Sequence, residues 1–112
     1  MASESPEDAI LRAVRAIAHG QVLAYGEVAR RAGLPRRARL VARILATTDA
    51  EVPWHRVIRS DGCIAFPADS DGFREQCRRL QAEGVTIERG RVRPPPRPRK
   101  SLDEQVWGPG PL

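Results

Sequence analysis

Cysteine is scarce in this 112-residue chain: only Cys63 and Cys77 occur, and nothing in their placing calls for a disulfide. Their spacing, taken with His19 and His55, fits no zinc pattern, so neither a metal nor a cofactor is expected. No run is long and apolar enough to span a bilayer, and the opening MASESPEDA lacks the basic and apolar regions of a signal peptide. The expectation is one soluble intracellular domain with no membrane partner. Acids are nearly missing from two stretches. Residues 24–45 carry six arginines against one glutamate, and residues 89–100 carry five arginines and one lysine with no acid. The net charge is only +5, so the rest of the chain is acidic and the cations are concentrated. Basic charge gathered in two segments suits a polyanion better than it suits general solubility.

What is present reads mainly as helix. Ser5 and Pro6 form an N-cap and first helical position, with Glu7 and Asp8 in the first turn. Ile10, Leu11, Val14 and Ile17 share one face, and Gly20 is placed to end that helix. GEVARRAG reads as a second helix closed by a turn at Gly33. Pro35 fits the start of a third, expected from Arg36 to Ala46, with Leu40, Val41, Ile44 and Leu45 inward. On that helix Arg36, Arg39 and Arg43 fall at i, i+3 and i+7, on one side. Two short helices around a glycine turn, the second basic, suggest helix-turn-helix geometry facing nucleic acid.

VIRSDGCIAF reads as two strands joined at Asp61-Gly62. FREQCRRLQAEG reads as a fourth helix, with Phe73, Cys77 and Leu80 inward and cap candidates at Ser70 and Asp71. VTIERGRV is a candidate hairpin. RPPPRPRK suits an extended arm, and SLDEQVW one docked helical turn. The expected class is mainly α with short β-hairpins, a winged helix-turn-helix-like DNA-binding domain over residues 1–92, followed by an Arg/Pro-rich arm over 93–112.

VLAYGEVARRAGLPRRARLVARIL, VPWHRVIRSDG and LQAEGV resemble, in order and spacing, the DNA-binding domain of the O6-alkylguanine-DNA alkyltransferases, over roughly residues 8–88. In that family the pentapeptide is Pro-Cys-His-Arg-Val, and its cysteine accepts the alkyl group. Here it is Pro53-Trp54-His55-Arg56-Val57. Tryptophan in that slot marks the alkyltransferase-like proteins, which bind such lesions without repairing them. Dealkylation needs a thiolate activated by a histidine and a carboxylate. His55 and Glu83 match those two members of the relay, and the nucleophile is missing. Indole is a poor nucleophile but offers a flat apolar face.

The resemblance implies a sensor, not an enzyme. It would bind double-stranded DNA carrying O6-alkylguanine as a monomer and hand it to nucleotide excision repair proteins, in the cytoplasm (nucleoid-associated) or the nucleus. By position in the family, Tyr25 presses on the backbone phosphate and Arg39 enters the stack as the base swings out. Tyr25, Leu45, Pro53, Trp54, Val57 and the loop from Pro67 to Asp69 would line the pocket. Backbone carbonyls of Trp54 and Val57 would accept from the exocyclic amine. Arg36 and Arg43 would meet the DNA backbone. Ala42 replaces a usual glycine, Ala24 replaces a serine or threonine, and the loop at Phe66-Pro67 lacks the basic residues of some relatives. Two other readings stand beside this one. One is an active enzyme using Cys63. The other is a helix-turn-helix transcription regulator, which would want Asn, Gln or Ser on its recognition helix.

Overall fold

A computed structural model describes residues 4–93; apart from Arg93, which belongs to the last described strand, the expected arm and docked turn lie outside the described residues. α1 spans Pro6–Arg15 and is capped as its sequence requires, with the Asp8 amide donating to Ser5 Oγ at 3.1 Å. It ends earlier than expected, at Arg15. Gly20, with φ of 82°, serves a later turn instead of the helix terminus. β1 (Leu23–Ala24) leads directly into α2 (Tyr25–Arg31). Gly33, with φ of 80°, closes α2 by the motif such ends favour: its amide donates to the Arg30 carbonyl and that of Leu34 to Ala29.

α3 runs Ala38–Thr47, two residues later than the sequence suggested. Pro35 opens a turn here, not the helix. The Arg37 amide donates back to the Leu34 carbonyl at 3.2 Å, and Arg36 takes φ of 69° at the position where a type II turn needs it. Arg36 therefore stands before α3, while Arg39 and Arg43 remain on it one turn apart. Val41 and Ile44 are buried in the core, and Leu40 and Leu45 pack against it half-buried.

A short 3₁₀ turn, Trp54–Arg56, precedes β2 (Val57–Ile58). The Asp61-Gly62 turn forms, with the Gly62 amide donating to Arg59, but the strands beside it pair differently from expectation. β2 lies parallel to β1, with Leu23 opposite Val57 and Ala24 opposite Ile58. Beyond the turn, Cys63 bridges to Arg91. α4 spans Asp71–Ala82, capped by Ser70. β3 (Thr86–Glu88) and β4 (Arg91–Arg93) form the expected antiparallel hairpin. The molecule is thus mainly helical, with short β elements and a winged helix-turn-helix-like plan. Among the described residues no helix is long and apolar enough to cross a membrane.

Two apolar clusters meet at β2. Val57 belongs to the one under α1, α2 and α3, and Ile58 to the one beneath α4 and the hairpin. Successive strand residues point to opposite faces, so two buried residues in a row join two cores.

Candidate functional site

The segment that enters β2 turns tightly. The Trp54 amide donates to Val52 at 2.7 Å and the Arg56 amide to Pro53 at 3.0 Å. Three consecutive side chains then diverge. His55 and Arg56 both reach Glu83 at the end of α4. His55 Nε2 lies 2.7 Å from Glu83 Oε2, and a carboxylate can only accept, so Nε2 donates. Arg56 donates through Nε to Oε1 at 3.0 Å and through Nη2 to Oε2 at 2.7 Å. Its Nη1 donates to the Ile17 carbonyl at 2.8 Å, and the Gly20 amide donates to Oε1 at 3.0 Å. The Arg56 guanidinium holds the Glu83 carboxyl far below the usual carboxylate range; the Gly20 amide and His55 add to this against the opposing effect of burial. His55 is buried, and its Nδ1 has no hydrogen-bond partner among the described residues.

Gln76 is the residue that sequence reasoning passed over. It is 1% exposed, and its Nε2 donates to the carbonyls of His55 and Val57, both at 3.0 Å. The signal was available: Gln76 lies three residues after Phe73 and four before Leu80, on the inward stripe of α4.

Trp54 turns the other way, onto a cavity of about 490 Å³. Tyr25 enters it from the start of α2, Ala42 and Leu45 from α3, and Phe66 and Pro67 from the far loop. Ala46, Thr48, Ala50 and Ala65 complete the lining, so no formally charged side chain faces the space. Tyr25, Leu45, Trp54 and Pro67 are where the sequence put them. Pro53 and Val57 are not in the lining, and neither is Asp69. Val57 is 1% exposed because β2 directs its side chain into the core, and its carbonyl, expected to face a base, is taken by Gln76. The Trp54 carbonyl accepts the Val57 amide. Burial raises the Tyr25 phenol, which keeps it a hydrogen-bond donor.

Phe66 is exposed and meets the Trp54 ring edge-on, with centroids 6.0 Å apart. Gly72 makes that position possible, since a Cβ there would stand 2.7 Å from the Phe66 ring. On Trp54 the Arg79 guanidinium lies 5.3 Å from the ring centroid, while its Nε donates to Glu75 at 2.6 Å.

The arginines before and on α3 form a separate groove of about 530 Å³, shared by Arg36, Arg37, Arg39 and Arg43. Arg39 does not reach the cavity, but α3 contributes to both spaces. Cys63 lies outside the cavity, where its sulfur accepts from Arg91 Nη2 at 3.6 Å. No group of acids, histidines and cysteines among the described residues could hold a metal.

Comparison with known proteins agrees with this geometry. The model of the 6-O-methylguanine DNA methyltransferase DNA-binding domain matches residues 5–85. Alkyltransferase-like protein 1 of Schizosaccharomyces pombe is 46% identical over 77 residues, 67% of this chain and 71% of that protein. The DNA base-flipping protein of Escherichia coli is 40% identical over 76 residues, and the chain spans only 57% of its length. In three dimensions the chain is similar to S. pombe Atl1 in complex with damaged DNA containing O6-carboxymethylguanine. There the TM-score is 0.69 at 39% identity, over 79% of this chain and 83% of that one. Mycobacterium tuberculosis OGT in complex with DNA aligns at a TM-score of 0.63 and 26% identity, over 73% and 51% of the two chains.

Proposed function

The chain belongs to the family of 6-O-methylguanine DNA methyltransferase DNA-binding domains and resembles its alkyltransferase-like members, and from that premise we propose that it is a non-enzymatic sensor of O6-alkylguanine in duplex DNA. The observation that carries this reading is the placing of Trp54. The indole forms a wall of the uncharged cavity at the position where the acceptor cysteine of the family stands, beside an intact His55–Glu83 pair. The relay has nothing to deprotonate. Its carboxylate is committed to Arg56 and Gly20, so it acts as an anchor for the loop.

The cavity falls within the size range of small-molecule sites. A guanine reaches it only by leaving the stack, which costs a few kcal/mol, and less where the lesion pairs badly. Tyr25, at the cavity edge, presses on the backbone beside the extruded nucleotide, and Arg39 fills the vacated place. Arg36 and Arg43 hold flanking phosphates. The complex, formed by a monomer, marks the lesion for nucleotide excision repair in the compartment that holds the DNA. The Cys63 reading loses ground because that thiol lies outside the cavity. The regulator reading loses ground because α3 presents arginine and alanine where base edges would want amides.

The test is binding by anisotropy to matched duplexes with and without O6-methylguanine at one salt concentration. The modified duplex should bind tighter, and Trp54→Ala should remove most of that difference while leaving affinity for undamaged DNA intact. Mass spectrometry should find no methyl on Cys63 or Cys77. Equal binding of the two duplexes by the wild type would sink the proposal.

A further inference from the structure

Among the described residues only two non-glycine residues adopt positive φ, and both are arginines: Arg36 at 69° and Arg89 at 54°. Arg36 lines the groove at α3. Arg89 lines a different and larger one, of about 710 Å³, together with Cys63, Glu88, Arg91 and Arg93. The turn itself does not ask for arginine. Arg89 and Gly90 form a two-residue hairpin loop with φ positive at both, where Asn, Asp or Gly fits with least strain. A long cation is held there in a conformation it disfavours, and such outliers gather at functional positions.

The strands supply the rest. Val92 is buried, so Arg91 and Arg93 on either side of it project from the opposite face of the hairpin. Glu88 is the one acid in the lining, 3.4 Å from Arg93, which leaves three arginines against one glutamate. Asp61 nearby is 3.7 Å from Arg59. Beyond β4 the sequence continues without an acid through Lys100. Cys63 in this groove and Phe66 at the cavity are three residues apart, a span of at most about 10 Å. The linings of the two spaces therefore approach closely enough for one duplex to meet both.

We propose that the β3–β4 hairpin is a second DNA contact, its Arg89, Arg91 and Arg93 groove receiving backbone phosphates of the duplex that flanks the cavity. This rests on the DNA-binding part of the proposed function and not on recognition of the lesion. It assigns the hairpin a sequence-independent, salt-sensitive share of the affinity.

Arg89→Asn in the full chain separates this role from a structural one. Asparagine suits the turn, so the thermal midpoint should hold or rise. Affinity for an undamaged duplex should fall up to about eightfold at about 0.1 M salt, and the slope of log K against log salt should shrink by about 0.9. Arg89→Asn, Arg91→Gln and Arg93→Gln together, with folding checked by circular dichroism, should shrink the slope by about 2 to 3. The preference for O6-methylguanine duplex over undamaged duplex should stay unchanged in both variants. If the wild type shows no such preference but the slopes still shrink, the lesion reading fails and the hairpin contact stands. Unaltered slopes in folded variants overturn the hairpin contact, as does loss of binding only to anionic phospholipid vesicles.

Discussion

Trp54 looks onto a cavity whose lining carries no formal charge, while His55 and Arg56, next in the chain, close around Glu83. One side of the loop is open and apolar. The other is buried and charge-paired, with Gln76 fastening the backbone between them. The difference teaches that recognition and support can be divided within three residues. The contacts of His55 and Arg56 with Glu83 fix the loop from which the indole projects.

The comparison breaks hardest at Glu83. Glu83→Gln leaves the half-buried Arg56 beside a neutral amide and weakens the ties to His55 and Gly20. Breaking such a pair should cost about 3 kcal/mol in urea unfolding. Trp54→Ala, on the open side, should cost less stability and more lesion preference. If the two variants lose stability equally, the division of labour is wrong.

Acid sharpens the same contrast. The folded carboxyl of Glu83 is depressed from its ordinary value of 4.5, so the native state holds the ionised form more firmly than the unfolded chain does. That contribution is complete above about pH 4.5 and is lost as pH falls below it. Urea midpoints measured from pH 7 down to 3 should drop steeply for the wild type below that value. They should drop less for Glu83→Gln. Parallel curves would show that the anchor does not govern acid stability.

A smaller effect is expected on the open side. Gly72→Ala places a methyl 2.7 Å from the Phe66 ring, which must shift from its edge-on place against Trp54. Overpacking of this kind should cost about 1 kcal/mol or less, because the ring is exposed and can move. Preference for modified duplex should fall with it. A variant with unchanged preference would show that Phe66 does not shape the cavity.

Much of the frame was legible because its signals are local. Ser5 and Ser70 cap their helices, the hairpin at Arg89-Gly90 closes as read, and one pentapeptide with a distant glutamate located His55, Trp54 and Glu83. What escaped is non-local or chemically quiet. β1 and β2 pair in parallel across the intervening α2 and α3, and a crossover of that length leaves no turn signature. Pro35 serves a helix start and a type II turn equally well by sequence, and the positive φ of Arg36 decided between them. Gln76 falls on the inward stripe of α4, but it is a residue type usually exposed, and the carbonyls that satisfy it come from the distant segment at His55 and Val57. Ala42, Ala46, Ala50 and Ala65 shape the cavity by being small, a property with no chemical mark.

The carboxylate of Glu83 gathers Gly20, Arg56 and, through Arg56, the carbonyl of Ile17. These positions lie far apart along the polypeptide, so the clasp forms only after loops of 63 and 27 residues have closed. Closure over such separations carries a loop entropy that local contacts do not. However early the preceding helices form, the loop that carries Trp54 is clasped only once the polypeptide has been made through Glu83 at the end of α4.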